Sequence, residues 1–150
     1  MKSTANIDQF VPHSASMSLL DKVLEYGDDW LHASVKITPQ SMFIEEKGVP
    51  AIVGIEYLAQ AVAAYAGTLE QKKGNEPKLG FLLSVRKYTC SNDYFPIGES
   101  LVLKVNLEML ADNGLSVFQT EIVGKAIHGS ARLNVYQPAN PDDLFQGNML

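Results

Sequence analysis

The run from Pro50 to Thr68, PAIVGIEYLAQAVAAYAGT, constrains the fold more than any other part of the chain. It predicts one α-helix of about five turns, because an α-helix has 3.6 residues per turn. Pro50 suits the first turn of a helix and Gly67 suits its end. Apolar residues lie on nearly every side, which is typical of a helix buried in the core. We therefore expect the rest of the chain to pack around this helix.

Glu56 is the only charged residue in this run. A buried carboxylate costs free energy unless it is paired or protonated, and buried acids are frequent in functional sites. Gln60 lies four residues further on, on the same face of the helix, and is placed to orient the carboxyl group. Two interpretations stay open. Glu56 is either a structural residue, hydrogen-bonded or facing solvent, or a catalytic one.

Alternating apolar and polar residues predict strands on both sides of the helix. Strands are predicted at residues 19–26, 30–37, 79–88, 101–109, 117–123 and 131–135. Asp112-Asn113-Gly114 is a strong signal for a hairpin turn. Two strands, one helix and a meander of strands predict an α+β fold, in which a curved antiparallel sheet wraps around the buried helix.

Length and charge narrow the classes of function. A chain of 150 residues is expected to form a single domain over residues 1–150, with its core at about 10–136 and a loose tail after it. The net charge of −5 argues against a nucleic-acid binder, which needs clustered Lys and Arg. The sequence has neither a glycine-rich phosphate loop nor a His/Cys cluster with metal spacing.

The sequence also predicts a compartment. The single Cys90 cannot form an internal disulfide, and residues 1–14 lack the apolar core of a signal peptide. The helix at residues 50–68 is shorter than a membrane span and carries Glu56 and Gln60. We therefore expect a soluble, cytoplasmic protein with no membrane span.

Short motifs along residues 10–136 carry a resemblance to one enzyme family. Pro12-His13 is followed by Leu19-Leu20-Asp21-Lys22-Val23, and Pro50-Ala51 precedes Ile55-Glu56-Tyr57-Leu58-Ala59-Gln60-Ala61. Pro96-Ile97-Gly98-Glu99 follows as a turn. The motifs and the order of elements resemble the hotdog-fold 3-hydroxyacyl-[acyl-carrier-protein] dehydratases. They are most similar to the small divergent dehydratases of aryl polyene (bacterial pigment) clusters.

The resemblance implies a reaction and its groups. A (3R)-3-hydroxyacyl thioester on acyl carrier protein would lose water to give the trans-2-enoyl thioester, with no cofactor beyond the phosphopantetheine of the carrier. A histidine and a carboxylic acid supply the base and the acid near neutral pH. Glu56 would be the acid. The N–H groups of Ala51 and Ile52 at the helix start would polarise the thioester carbonyl, with Gln60 beside the substrate.

One departure from the family pattern affects this site. The catalytic histidine of the family stands in a Gly-His-Phe-Pro run before the helix, and Met42 occupies that place here, fourteen residues before Glu56. No histidine lies between His32 and Glu56. His13 is therefore the candidate for the second catalytic residue, because the N-terminal segment of the family packs close to the helix. His32 and His128 lie on polar faces of predicted strands and are the less suited histidines.

The resemblance also implies partners. Hotdog subunits pair side by side, so that His13 and Glu56 would come from different chains of a homodimer, or of a heterodimer with a homologous subunit. Acyl carrier proteins are acidic, and a basic rim would steer them. The candidate rim residues are Lys72, Lys73, Lys78, Arg86, Lys87 and Arg132. The candidates for the acyl tunnel are Met17, Met42, Phe43 and Phe81.

Two other functions stay open at this stage. In a hotdog thioesterase Glu56 would activate water, and the products would be a free acid and a free thiol. In a non-catalytic subunit the chain would support an active homologue, which the missing family histidine favours.

Overall fold

An antiparallel sheet wraps one helix in the computed structural model, which describes residues 19–72, 74 and 81–136. The elements are β1 (Lys22–Tyr26), β2 (Trp30–Lys36), β3 (Val49–Pro50), a 3₁₀ turn (Ala51–Val53), α1 (Gly54–Lys72), β4 (Phe81–Cys90), β5 (Tyr94–Phe95), β6 (Ser100–Leu110), β7 (Leu115–Val123) and β8 (His128–Tyr136). Six strands pair in the order β1-β2-β6-β7-β8-β4, and β3 pairs with β5 apart from them. The predicted α+β fold is confirmed.

The strands bury one face, as their sequence alternation predicts. In β7 the residues Ser116, Phe118, Thr120 and Ile122 are buried, and the residues between them are half-exposed. This period of two is that of a sheet with one face on the core. The predicted hairpin at Gly114 joins β6 to β7, and its φ of +92° is a conformation that favours glycine.

Helix α1 buries one side against the sheet. The buried apolar residues of this side are Tyr57, Leu58, Ala61, Val62, Ala64 and Tyr65. The opposite side is not covered in the subunit, where Ile52 and Glu56 are exposed. The prediction of a helix buried on nearly every side is therefore wrong for the single subunit, because the sheet covers only one face.

The start of α1 is tightly fitted to the sheet. The hydroxyl group of Tyr88 on β4 donates to the carbonyl oxygen of Ala51. A Cβ atom at Gly54 would lie 2.4 Å from the Tyr88 hydroxyl oxygen and 2.7 Å from Cδ1 of Ile122. Glycine therefore allows the close approach of α1 to β4 and β7. Burial raises the pKa of Tyr88 well above its ordinary value, which keeps the hydroxyl protonated and able to donate.

The end of α1 is held by the turn between β1 and β2. The Tyr65 hydroxyl donates to the Asp28 carbonyl oxygen at 2.5 Å, and Lys72 Nζ lies 2.8 Å from a carboxylate oxygen of Asp28.

The helical stretch Ala51–Lys72 is long and apolar enough to cross a membrane by length and composition, and half of its most apolar part is buried inside the fold. The prediction that this helix is too short for a membrane span is therefore wrong. Its packing on the sheet is that of a core helix.

Several sequence predictions fall outside the described residues. They concern His13 and Met17, which lie within residues 1–18, and the predicted tail, which lies within residues 137–150. The first predicted strand begins at Lys22 rather than Leu19, and the strand after the helix is Phe81–Cys90.

Candidate functional site

Glu56 lies in the first turn of α1, on the face that the sheet leaves open. Ile52 precedes it by about one turn and is exposed, while Ala59 and Ala63 follow at one-turn and two-turn spacing and are half-buried. This face is apolar except for Glu56 and its neighbour Gln60. The expectation of a buried acid is wrong for the free subunit, because no element of the described chain covers Glu56.

A cavity of about 280 Å³ lies between α1 and the sheet, with Glu56 and Gln60 among its lining residues. Its helix side is formed by Ala59, Val62, Ala63, Tyr65, Ala66 and Leu69. Its sheet side is formed by Leu107, Leu110, Ser116, Phe118 and Val135. Glu56 and Gln60 form a polar end on its helix side, and the remaining walls are mostly apolar. This pattern fits a ligand with a polar head and an apolar chain.

Gln60 ties the start of the described chain to the helix. Its side-chain oxygen accepts a hydrogen bond of 2.7 Å from the backbone N–H of Leu19. This oxygen therefore binds the segment before β1. The orientation of Glu56 by Gln60 stays a prediction. The bond places Leu19, six residues after His13, beside the polar end of the cavity. His13 itself lies outside the described residues.

The start of the helix offers fewer free donors than predicted. The N–H of Ala51 donates to the carbonyl oxygen of Asp93 at 2.8 Å, next to the pairing of β3 with β5. The predicted use of this group to polarise a substrate carbonyl is therefore wrong in this conformation. The N–H of Ile52, in the 3₁₀ turn, stays a candidate.

The described histidines lie away from Glu56, on the outer face of the sheet. His32 on β2 packs on Trp30, with 4.8 Å between ring centroids. Burial lowers the pKa of His32, Lys104 lowers it further, and Glu25 opposes the shift. His128 Nε2 lies 2.9 Å from a carboxylate oxygen of Glu121 on the same face. Within residues 19–72, 74 and 81–136, no histidine accompanies Glu56.

The loop that precedes the helix presents apolar side chains to solvent. Met42 and Phe43 are about half exposed and are not among the cavity-lining residues. Phe43 has a φ of +66°, which is uncommon for a residue other than glycine. These two residues therefore do not line this cavity, and their place in an acyl tunnel stays a prediction. Met17 and the side chain of Phe81 lie outside the described part.

The inward residues of the later strands were the signal that the sequence analysis missed. Leu107, Phe118 and Val135 line the cavity, and each lies on a strand whose alternation was recognised. Following the inward face of each strand to its end would have identified these three residues. Among the described residues, no group of three or more His, Cys, Asp or Glu side chains could hold a metal ion.

The predicted basic rim is divided between two places. Lys72 lies at the end of α1 and pairs with Asp28. Arg132 lies on the outer face of the sheet, paired at 2.9 Å with Glu108 and directly opposite Arg86. Lys73 and Lys78 fall outside the described residues. The described members therefore do not form one continuous rim.

Comparisons with known proteins agree with this architecture. The model of the ApeP-like family, described as ApeP dehydratase, matches residues 5–146. A 3-hydroxyacyl-[acyl-carrier-protein] dehydratase FabZ of Streptococcus uberis is 31% identical over 101 residues, which are 65% of this chain and 71% of that protein.

Solved structures show the same fold. The dehydratase heterocomplex ApeI:P from Xenorhabdus doucetiae superposes with a TM-score of 0.86 at 29% identity, over 99% of this chain and 100% of the matched chain. A hypothetical thioesterase with coenzyme A from Streptococcus pneumoniae reaches a TM-score of 0.61 at 10% identity, over 77% of this chain and 86% of that one, and so shares the fold alone. With the family match spanning nearly the whole sequence, the chain is a hotdog-fold protein that belongs to the ApeP-like dehydratase family.

Proposed function

We propose that the chain takes part in dehydrating 3-hydroxyacyl thioesters carried on the phosphopantetheine of acyl carrier protein, in the cytoplasm, during fatty-acid or aryl-polyene-type synthesis. The observation that carries the proposal is Glu56 at the polar end of an apolar cavity. Membership of a dehydratase family and the FabZ relative support the reaction class. No metal or redox cofactor enters the proposed chemistry.

The proposed reaction moves two protons. A base removes the proton from Cα, the Cα–Cβ double bond forms, and the C–O bond at Cβ breaks. Glu56 donates a proton to the departing hydroxyl group, which leaves as water. The N–H of Ile52 polarises the thioester carbonyl while negative charge grows on its oxygen.

The base is proposed to face Glu56 from another chain or from the N-terminal segment. His13 is the candidate within this sequence, and Gln60 holds Leu19 close to the site. A histidine of a homologous hotdog subunit is the second candidate. Two observations favour the second arrangement: the open apolar face around Glu56, and the similarity to one chain of a dehydratase heterocomplex.

Product mass tests the proposal. The purified chain, alone and with a homologous hotdog dehydratase subunit, is incubated with a 3-hydroxyacyl carrier-protein thioester. We expect a loss of one water that Glu56→Gln abolishes, while Glu46→Gln, an exposed change in the loop before the helix, leaves it intact. Release of free acid and thiol would instead identify a thioesterase.

The same assay assigns the base. If His13→Ala abolishes dehydration and His128→Ala does not, the base is His13. If dehydration requires the second subunit and survives His13→Ala, the partner supplies the histidine. If the chain alone gives no turnover, and turnover with the second subunit survives Glu56→Gln, the chain is a non-catalytic subunit. Turnover by the chain alone that survives Glu56→Gln would exclude Glu56 as the acid.

A further inference from the structure

Strand β6 changes the direction of its side chains before its end. Leu103 and Val105 face inwards and are buried, and Leu107, the next inward residue, pairs with Phe118 of β7. The register then shifts, so that Met109 pairs with Val117 and Glu108 is an additional residue. This arrangement is a β-bulge, which redirects the side chains that follow it.

The bulge decides which side chain reaches the cavity. Leu110 pairs with Ser116, a buried inward residue, and Leu110 lines the cavity although the residue is 63% exposed. Met109, which is 57% exposed, lines a groove on the outer face with Val117. Strict alternation after Leu107 would have placed Met109 inwards instead, because successive residues of a strand point to opposite faces.

Leu110 lies at the end of the cavity that is remote from Glu56. The N–H of Leu107 donates to the carbonyl oxygen of Asp29, and the neighbouring Asp28 accepts the Tyr65 hydroxyl from the second half of α1. The end of β6 therefore lies beside that half of the helix. Leu69, a further lining residue, is about 20 Å along the helix axis from Glu56 at 1.5 Å per residue.

From this geometry we propose that Leu110 sets the maximum length of the acyl chain that the cavity accepts. The proposal rests on the proposed function, in which the thioester lies at Glu56 and the acyl chain runs towards Leu110. A side chain that is itself largely exposed separates this end of the cavity from solvent, so its size determines where the chain must stop. A smaller side chain at position 110 lengthens the cavity, and a larger one shortens it.

The test compares variants at two neighbouring positions. Binding of saturated acyl-pantetheine thioesters of increasing chain length is measured by calorimetry on the full chain, for Leu110→Trp and Leu110→Ala. Met109→Trp and Met109→Ala are matched controls, because Met109 is next in sequence, similarly exposed and faces outwards. Thermal unfolding of each variant checks that the fold is retained.

We expect Leu110→Trp to weaken binding of the longest chains by about fourfold for each methylene that is excluded, and to leave short chains unchanged. Leu110→Ala should extend the accepted length, and neither Met109 variant should alter it. Equal effects at both positions, a weakening that does not depend on length, or no binding of any acyl thioester would overturn the proposal. If binding shifts with Leu110 but neither the chain alone nor the chain with a homologous subunit dehydrates the substrate, this inference is retained and the proposed reaction is rejected.

Discussion

The close fit between α1 and β4 gives a quantitative prediction for Gly54→Ala. Gly54 has φ −55° and ψ −29°, a helical conformation that alanine adopts without strain. The added Cβ would lie 2.4 Å from the Tyr88 hydroxyl oxygen, 2.7 Å from Ile122 Cδ1 and 3.1 Å from Phe95 Cζ. Overpacking of this kind costs about 1 to 3 kcal/mol. The lower entropy of alanine in the unfolded chain offsets about 0.4 to 1 kcal/mol of that cost.

Taking the middle of each range, about 2 and about 0.7 kcal/mol, the expected net loss of unfolding free energy is about 1.3 kcal/mol. For a domain of this size, that loss lowers the Tm by about 3 to 5 °C. Urea unfolding followed by circular dichroism measures it. The matched variant is Tyr88→Phe, which removes the oxygen closest to the new methyl group. In the Tyr88→Phe background the cost of Gly54→Ala should fall by about 1 kcal/mol. An unchanged cost in that background, or a Gly54→Ala protein as stable as the original, would refute the steric argument.

Three further predictions concern stability. Tyr65→Phe should reduce the unfolding free energy by about 1 kcal/mol in urea unfolding, because the Asp28 carbonyl oxygen loses its donor; an unchanged midpoint would contradict this. Gly114→Ala should cost about 1 to 3 kcal/mol, because alanine is strained at a φ of +92°, and a neutral effect would show that the turn relaxes. Burial raises the pKa of Tyr57 from 10.0 to about 12. Because the unfolded chain then loses this proton first, stability should fall as the pH rises from about 10 towards 12. Tyr57→Phe should reduce that slope in unfolding experiments at several pH values, and an equal slope would contradict the assignment.

The alternation of apolar residues predicted most of the fold. It placed β2, β6, β7 and β8 within a few residues of their bounds, because a half-buried sheet face needs a period of two. The helix followed from its apolar length and its starting proline. The end predicted at Gly67 is wrong, because α1 continues to Lys72 and Gly67 is buried within it. The position of Glu56 within the helix was likewise readable from the sequence.

The contacts and exposure of the residues around Glu56 could not be predicted from the sequence in the same way. A helix that is apolar all round has the same sequence pattern whether the fold or a second subunit covers it. The sequence therefore left open whether Glu56 faces solvent, as it does here. The bond between Ala51 and Asp93 joins residues far apart in the chain, and no local pattern marks it. The bulge at Glu108 depends on the register between two strands, which the residues of β6 alone do not determine.

The open face of α1 also bears on the fidelity of subunit pairing. Any surface that covers Ile52, Ala59 and Ala63 must also cover Glu56, which lies between them on the same face. A covering surface without a donor for this carboxylate buries an unpaired charge, at a cost of about 3 to 5 kcal/mol. A surface that presents a histidine or another donor avoids that cost. In such a pair, the carboxylate proposed as the acid would therefore also discriminate against wrong partners, and before pairing it would place a polar group on the apolar face.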